Sequence, residues 1–165
     1  MIAAKAKLYF MCGKMAAGKS THAKKVAKAK NAVIFVQDDL LEALYPGEIR
    51  VTEDFVKYSA RVREAVAPYI TDLLARGISV VLDFPGNTIA QREWFRGLIE
   101  SAGVEHELHY IDATDDLCKR QLKDRSRDLP AGTPWTTEAE FDAITSFFQA
   151  PLEHERFNVI RHVRA

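Results

Sequence analysis

The chain has 165 residues, 47% apolar and 28% charged, with 23 basic and 23 acidic side chains and a formal net charge of zero. That balance suits one globular domain with one core and excludes a disordered chain. It gives no support to a non-specific nucleic-acid coat or a basic membrane-surface protein, and no run of about 18 apolar residues is present to span a membrane.

The opening MIAAKAKLYFMCG has the lysines and short apolar stretch of a weak signal peptide. That reading is set aside because the apolar run ends in a chemical motif that cleavage would destroy. Residues 7–12 (KLYFMC) are apolar and followed by Gly13, which predicts a buried strand. Residues 19–30, rich in Ala and Lys, predict a helix. Residues 32–37 (AVIFVQ) predict a second strand. A short helix over 38–45 ends at Pro46-Gly47.

Residues 53–76 predict a long helix with Phe55, Val62, Val66, Tyr69, Ile70 and Leu73 near helical spacing, a kink at Pro68 and a stop at Gly77. ISVVL (78–82) is a third strand. A helix over 88–102 stops at Gly103, a fourth strand covers 105–111, and a charged helix covers 114–127. The polar segment 128–136 holds Gly132 and two prolines and has the length of a lid. Thr137 and Glu140 have capping-box spacing and open one more helix to about 149, and 157–163 forms the last strand. Strands alternating with helices imply right-handed crossovers and a parallel sheet covered on both faces, an α/β three-layer domain. Ligands then bind beyond the carboxyl ends of the strands, which selects 13–21, 38–39, 83–88, 112–116 and the region after Val163.

The sharpest signal is Gly13-Lys14-Met15-Ala16-Ala17-Gly18-Lys19-Ser20, which matches G-x-x-x-x-G-K-[ST] in full between a predicted strand and a predicted helix. The two glycines let successive N–H groups turn inward, and these with the helix N-terminus attract phosphate oxygens. Lys19 reaches the β- and γ-phosphates as a point charge, and the Ser20 hydroxyl is a hard ligand for Mg²⁺. The Lys14 side chain receives no role of its own, Thr21 is placed near the α-phosphate, and His22 reads as a helix-surface residue.

Asp38-Asp39 follows the second strand directly. One of them accepts a proton from an acceptor hydroxyl, or they cap the next helix. Asp83 ends the third strand in the manner of a metal-side carboxylate, or it only starts the turn at Pro85-Gly86-Asn87. Asn87 and Thr88 read as helix caps, and Arg92 faces either substrate or solvent. Helix capping accounts for Asp112, Asp115 and Asp116. Of the basic residues 119–127, Arg120 and Arg125 are the candidates to neutralise a transferring phosphoryl group, against the alternative of a solvated helix face.

GKMAAGKST, FVQDDLLEALY, VVLDFPGNTIAQREWFR and CKRQLKDRSRDLP follow one another in the order found in AAA_33-type P-loop kinases, small bacterial ATP-binding proteins mostly without assigned substrates. The chain resembles that family over nearly its whole length. More distantly it is similar to the 5′-kinase domain of polynucleotide kinases, chloramphenicol phosphotransferase, gluconate kinase and zeta-toxin-like kinases. The resemblance implies a five-stranded sheet of order 2-3-1-4-5 and a lid at about 125–136. It carries the general base of the polynucleotide kinase branch to Asp38, the metal-side carboxylate to Asp83, and the lid arginine to Arg120 or Arg125. In that branch an Arg soon follows the Asp pair, and Leu41 stands near its place here.

The expectation is therefore an ATP- and Mg²⁺-dependent kinase. Its cradle is Gly13, Lys14, Met15, Ala16, Ala17, Gly18, Lys19, Ser20 and Thr21, its metal ligands are Ser20 and Asp83, and its catalytic residues are Lys19, Asp38, Arg120 and Arg125. The acceptor is a small-molecule hydroxyl entering between Asp38, the long helix and residues 83–88, with Tyr58, Arg61 and Arg63 as candidates to meet it. A polynucleotide 5′-hydroxyl or a regulatory NTPase without an acceptor are the alternatives. No NKxD run appears, which favours ATP over GTP. The two cysteines, Cys12 and Cys118, form no metal or redox pattern and fit a reduced cytoplasmic setting. No nucleic-acid or membrane partner is expected, and the state is monomer or homodimer.

Overall fold

The computed structural model describes residues 5–131 and 136–165. In chain order the elements are β1 (Lys7–Cys12), α1 (Lys19–Ala29), β2 (Val33–Val36), α2 (Gln37–Leu44), α3 (Thr52–Ala75), β3 (Val80–Asp83), α4 (Ile89–Ala102), β4 (Glu105–Ala113), α5 (Asp115–Arg127), α6 (Glu138–Thr145) and β5 (Val159–Arg164), with a single 3₁₀ turn at Glu153–Glu155 before the last strand. Five parallel strands lie in the order β2-β3-β1-β4-β5. This is the α/β three-layer architecture expected from the alternation of elements, with the strand order that the resemblance implies.

The strand period of two sorts the core into layers. From β1, Leu8, Phe10 and Cys12 face α3 and α4, joining Val80, Leu82, Val62, Ile70, Leu74, Phe95 and Leu98. Tyr9 and Met11 face the other way and pack with Val81 under Ala23, Val26 and Ala27 of α1. Both sides of β1 are buried, so its sequence is a continuous apolar run rather than an alternating one. Phe10 stacks on Phe95 with ring centroids 4.5 Å apart. Each such fully buried side chain stabilises the fold by roughly 1.5–3 kcal/mol relative to exposure. A third cluster, Ala17, Ile111, Ala113, Cys118 and Phe141, fixes α5 and α6 to β4 and to the glycine motif.

Helix ends follow the local chemistry with shifts of one or two residues. The long helix α3 runs through Pro68 to Ala75, and Gly77 and Gly103 sit in the left-handed region at the two predicted stops. Thr137 caps α6, accepting from the Glu140 amide at 3.1 Å, while the Glu140 carboxylate accepts from the Thr137 amide. That helix ends at Thr145, four residues short of its predicted end. The continuation is held differently: the Gln149 amide donates to the Asn87 carbonyl and the Gln149 side chain accepts from the Ile89 amide. Of the expected lid, residues 132–135 lie outside the described residues. Among the described residues no helix is long and apolar enough to cross a membrane.

Candidate functional site

The glycine motif lies at the carboxyl end of β1, turning directly into α1. Ala16 and Gly18 both have positive φ, 60° and 105°. Gly18 is the position where a side chain is excluded twice over, by that φ and because a Cβ would run into the Arg164 guanidinium. Gly13 is pressed against β4, where a Cβ would stand 2.8 Å from the Ile111 carbonyl oxygen. The Ala17 amide donates to the Lys14 carbonyl, and the His22 amide closes the first helical bond on the Gly18 carbonyl. Ser20 and Thr21 open α1 with exposed side chains.

Lys19 folds back into this loop, and its ammonium donates to the carbonyls of Gly13 and Lys14. Burial lowers its pKa, helped by the charge of Arg125 and opposed by Cys12 and Asp83. The Lys14 side chain leaves the loop and pairs with Asp115 at 2.7 Å, so only its backbone faces the cradle.

Asp38 lies in the first turn of α2, whose N-cap position is Val36, so the capping alternative is not realised. Desolvation pushes the Asp38 carboxyl above the usual carboxylate range, the charges of Asp83 and Asp39 push it further, and Lys19 opposes them. Lys19, Asp38 and Asp83 thus form one electrostatic unit. Asp83 reaches it from the end of β3, in register with Val36.

A cavity of about 360 Å³ opens beside Gly18 and Thr21, lined further by His22, Lys25, Gln121, Arg125, His162 and Arg164. Arg125 and Gln121 are one helical turn apart on α5 and share this face. Arg120 is exposed and falls outside the lining residues, because five helical positions rotate a side chain about 140°. Arg164 closes the far wall, donating to the Ala17 carbonyl at 2.5 Å. Its location, just after Val163 at the carboxyl end of the last strand, is the signal that sequence offers for it. The buried Gln121 side-chain nitrogen has no partner among the described residues, which suits a wall built to meet a polar ligand.

On the opposite side of the loop lies a cavity of about 520 Å³. Met15, Phe55, Val56, Ile144, Phe147 and Phe148 supply its apolar wall, with Asn87 and Thr88 at the polar end. A smaller cleft of about 280 Å³ lies against Asp38, Leu41, Tyr45 and again Phe55. Phe55 is therefore the shared wall of a trough between Asp38 and α6. Tyr58 stacks on Tyr45 at 4.1 Å, with Arg61 over its ring. None of Tyr58, Arg61 and Arg63 is among the residues lining either cavity.

Four readings from sequence are corrected. Arg92 faces neither substrate nor solvent: it is fully buried, binds both Glu155 oxygens at 2.8 and 3.0 Å, and donates to the carbonyls of Gly86 and Gln149. One guanidinium thus ties β3–α4 to the chain after α6. Asn87 caps nothing; its side-chain oxygen accepts from the Gly13 amide at 2.9 Å, while Thr88 caps α4. Thr114 rather than an aspartate caps α5, leaving Asp112 to pair with Arg161 and Asp115 with Lys14. His22 is half-buried rather than free on the helix surface: it packs against His109 and His162, and burial together with those two rings and Lys25 pushes its pKa down to about 4. Both cysteines are free and buried.

The loop fits a bound polyphosphate: it is a cradle a Cβ would fill, with one lysine inside and Arg125 and Arg164 at its mouth. Ser20 and Asp83 are the hard oxygen donors suited to Mg²⁺. Three solved structures share the fold. A provisionally named kinase from Chloroflexus aurantiacus j-10-fl superposes with a TM-score of 0.74 at 16% identity, covering 96% of this chain and 88% of that one. The APS kinase CysC of Mycobacterium tuberculosis, in complex with AMPPNP and APS, gives 0.64 at 20% identity, with 97% and 89% covered. Kti12 of Chaetomium thermophilum, in complex with ADP-AlF3, gives 0.67 at 14% identity, with 94% and 88% covered. At these identities the likeness is one of fold. No curated protein matches the sequence. The AAA domain family AAA_33 matches residues 8–151. With a P-loop NTPase fold and that match across most of its length, the chain belongs to the AAA_33 family.

Proposed function

We propose that this protein is an ATP-dependent phosphotransferase that moves a γ-phosphoryl group to a hydroxyl of a small molecule. The observation that carries the reading is the position of Lys19. It lies inside the glycine cradle and is electrostatically coupled to Asp38 and Asp83 at the ends of neighbouring elements. Backbone amides of 13–20 hold the phosphates, and Mg²⁺, when bound at Ser20 and Asp83, neutralises phosphate charge. Asp38, whose pKa is raised by burial and by the neighbouring Asp83 and Asp39, accepts the proton of the attacking hydroxyl. Arg125 and Arg164 stabilise charge on the phosphoryl oxygens.

The acceptor occupies the trough that shares Phe55. Its lining is mostly apolar, which supports an acceptor with a substantial apolar face beside its hydroxyl. A nucleic-acid 5′-end would need basic side chains there, and Leu41, near the place of the arginine in the polynucleotide kinase branch, is 4% exposed in the core. Release of ADP from Mg-ATP, measured alone and across a panel of hydroxyl compounds, tests the reading. Turnover that rises with one acceptor supports it; strong hydrolysis indifferent to every acceptor contradicts it.

A further inference from the structure

Parallel pairing sets Met11 against His109 and Ile111 against His162. By the two-residue period of strands, His109 and His162 therefore share the sheet face covered by α1, where His22 comes down onto them. The His22 Nε2 lies 2.8 Å from His109 Nδ1, and His109 Nδ1 lies 2.9 Å from His162 Nε2. The nitrogens of all three rings lie within 4.8 Å of one another. Behind them, His109 Nε2 lies 3.2 Å from a Glu107 oxygen.

Proton counting shows what is unusual about this arrangement. When His109 donates Nε2–H to Glu107, its Nδ1 is bare and carries one in-plane lone pair. Two imidazole nitrogens approach that single lone pair, and one hydrogen bond is made at the expense of the other. A metal ion satisfies all three nitrogens at once. A carboxylate fixing the far nitrogen of a ligating histidine is the usual outer support of such a site.

We propose that His22 Nε2, His109 Nδ1 and His162 Nε2 form a binding site for a single Zn²⁺ or another divalent ion of similar imidazole preference, with Glu107 positioning His109. Three imidazoles with a fourth position open to solvent match the ligand set of an open zinc site. Zn–N bonds of about 2.0–2.1 Å in tetrahedral geometry place the nitrogens about 3.3 Å apart, so binding opens the two short contacts by about half an ångström and leaves the His22–His162 pair to settle from a present separation of no more than 4.8 Å. His22 and His162 line the cavity of about 360 Å³ whose other walls include Lys25, Arg125 and Arg164. The donors are imidazole nitrogens rather than the oxygens Mg²⁺ and Ca²⁺ prefer, which leaves selection to ligand type. This site is separate from the Ser20 and Asp83 oxygens and does not depend on a kinase reading.

Co²⁺ titration of the metal-free protein, followed by absorbance and by calorimetry, tests the site. The expected result is one Co²⁺ per chain with the visible absorption of a tetrahedral nitrogen site, displaced by one Zn²⁺ and unaffected by millimolar Mg²⁺. His22→Gln and His162→Gln should each weaken Zn²⁺ at least ten-fold, and His154→Gln, on an exposed histidine outside the cluster, should not. Glu107→Gln, which also gives up the Lys7 ion pair, should weaken Zn²⁺ by about 10–100-fold while the metal-free protein keeps its circular dichroism spectrum. If a histidine variant fails to fold by circular dichroism, Glu107→Gln and the wild-type stoichiometry carry the test. Absence of stoichiometric Co²⁺ or Zn²⁺ binding, or binding unchanged in both folded histidine variants, overturns the proposal.

Discussion

The Asn87 side-chain oxygen accepts a hydrogen bond from the Gly13 amide at 2.9 Å, joining two positions 74 residues apart. Asn87 is itself held by its own amide, which donates to the Gln91 side chain at 2.9 Å. The first turn of the glycine loop is thus fixed from the β3–α4 junction. A net hydrogen bond of this kind contributes about 0.5–1.5 kcal/mol. Asn87→Ala should weaken binding of an ATP analogue up to about ten-fold, read by calorimetry, with the fold retained.

Arg92 and Glu155 form a buried ion pair with side-chain exposures of 0% and 5%. Removing one partner strands a buried charge, which costs roughly 3–5 kcal/mol. Arg92→Leu should therefore lower the melting temperature by on the order of ten degrees in a domain of this size. Burial alone would raise the Glu155 carboxyl, but the Arg92 guanidinium and the Leu152 amide outweigh it and hold it below its ordinary value of 4.5. A carboxyl that is more acidic folded than unfolded contributes stability above the unfolded value and loses it as pH falls through the folded one. The stability gap between wild type and Glu155→Gln, measured by urea titration, should be full at pH 6 and narrow below about pH 4.5.

The two candidate arginines of α5 should separate. Arg125→Ala should lower phosphoryl transfer by about 10²–10³, the range seen for loss of one preorganised charge donor. Arg120→Ala, on the other side of the helix, should leave it within a few-fold. Steady-state kinetics with a saturating acceptor reads both.

Asp38→Asn should leave binding of Mg-ATP intact and strongly lower transfer, since the amide has the same shape but accepts no proton. A binding isotherm beside single-turnover kinetics distinguishes this from a loss of folding. Unchanged transfer would pass the base role to Asp39 or Asp83.

The strands and the glycine motif were legible because each rests on local pattern, whereas the sheet order came from the family resemblance. Buried parallel strands are continuous apolar runs, and the glycine motif is defined by spacing alone. Arg92, Asn87 and the three histidines were not legible, because each acts through a partner more than fifty positions away in sequence; Arg164 was legible only as a place, the end of the last strand. A charged residue one turn into a helix looks solvated until the chain after α6 delivers Glu155 to it. His22 looked like a surface residue because α1 alone does not reveal which strand positions lie under it.

Calorimetric titration of a non-hydrolysable ATP analogue with Mg²⁺ into the wild-type protein and Lys19→Ala tests the phosphate cradle most directly. Saturable binding at one site per chain, lost or greatly weakened in the variant, is the result expected. A folded wild-type protein that takes up no nucleotide, or a Lys19→Ala variant that binds it equally well, would contradict the assignment of residues 13–21.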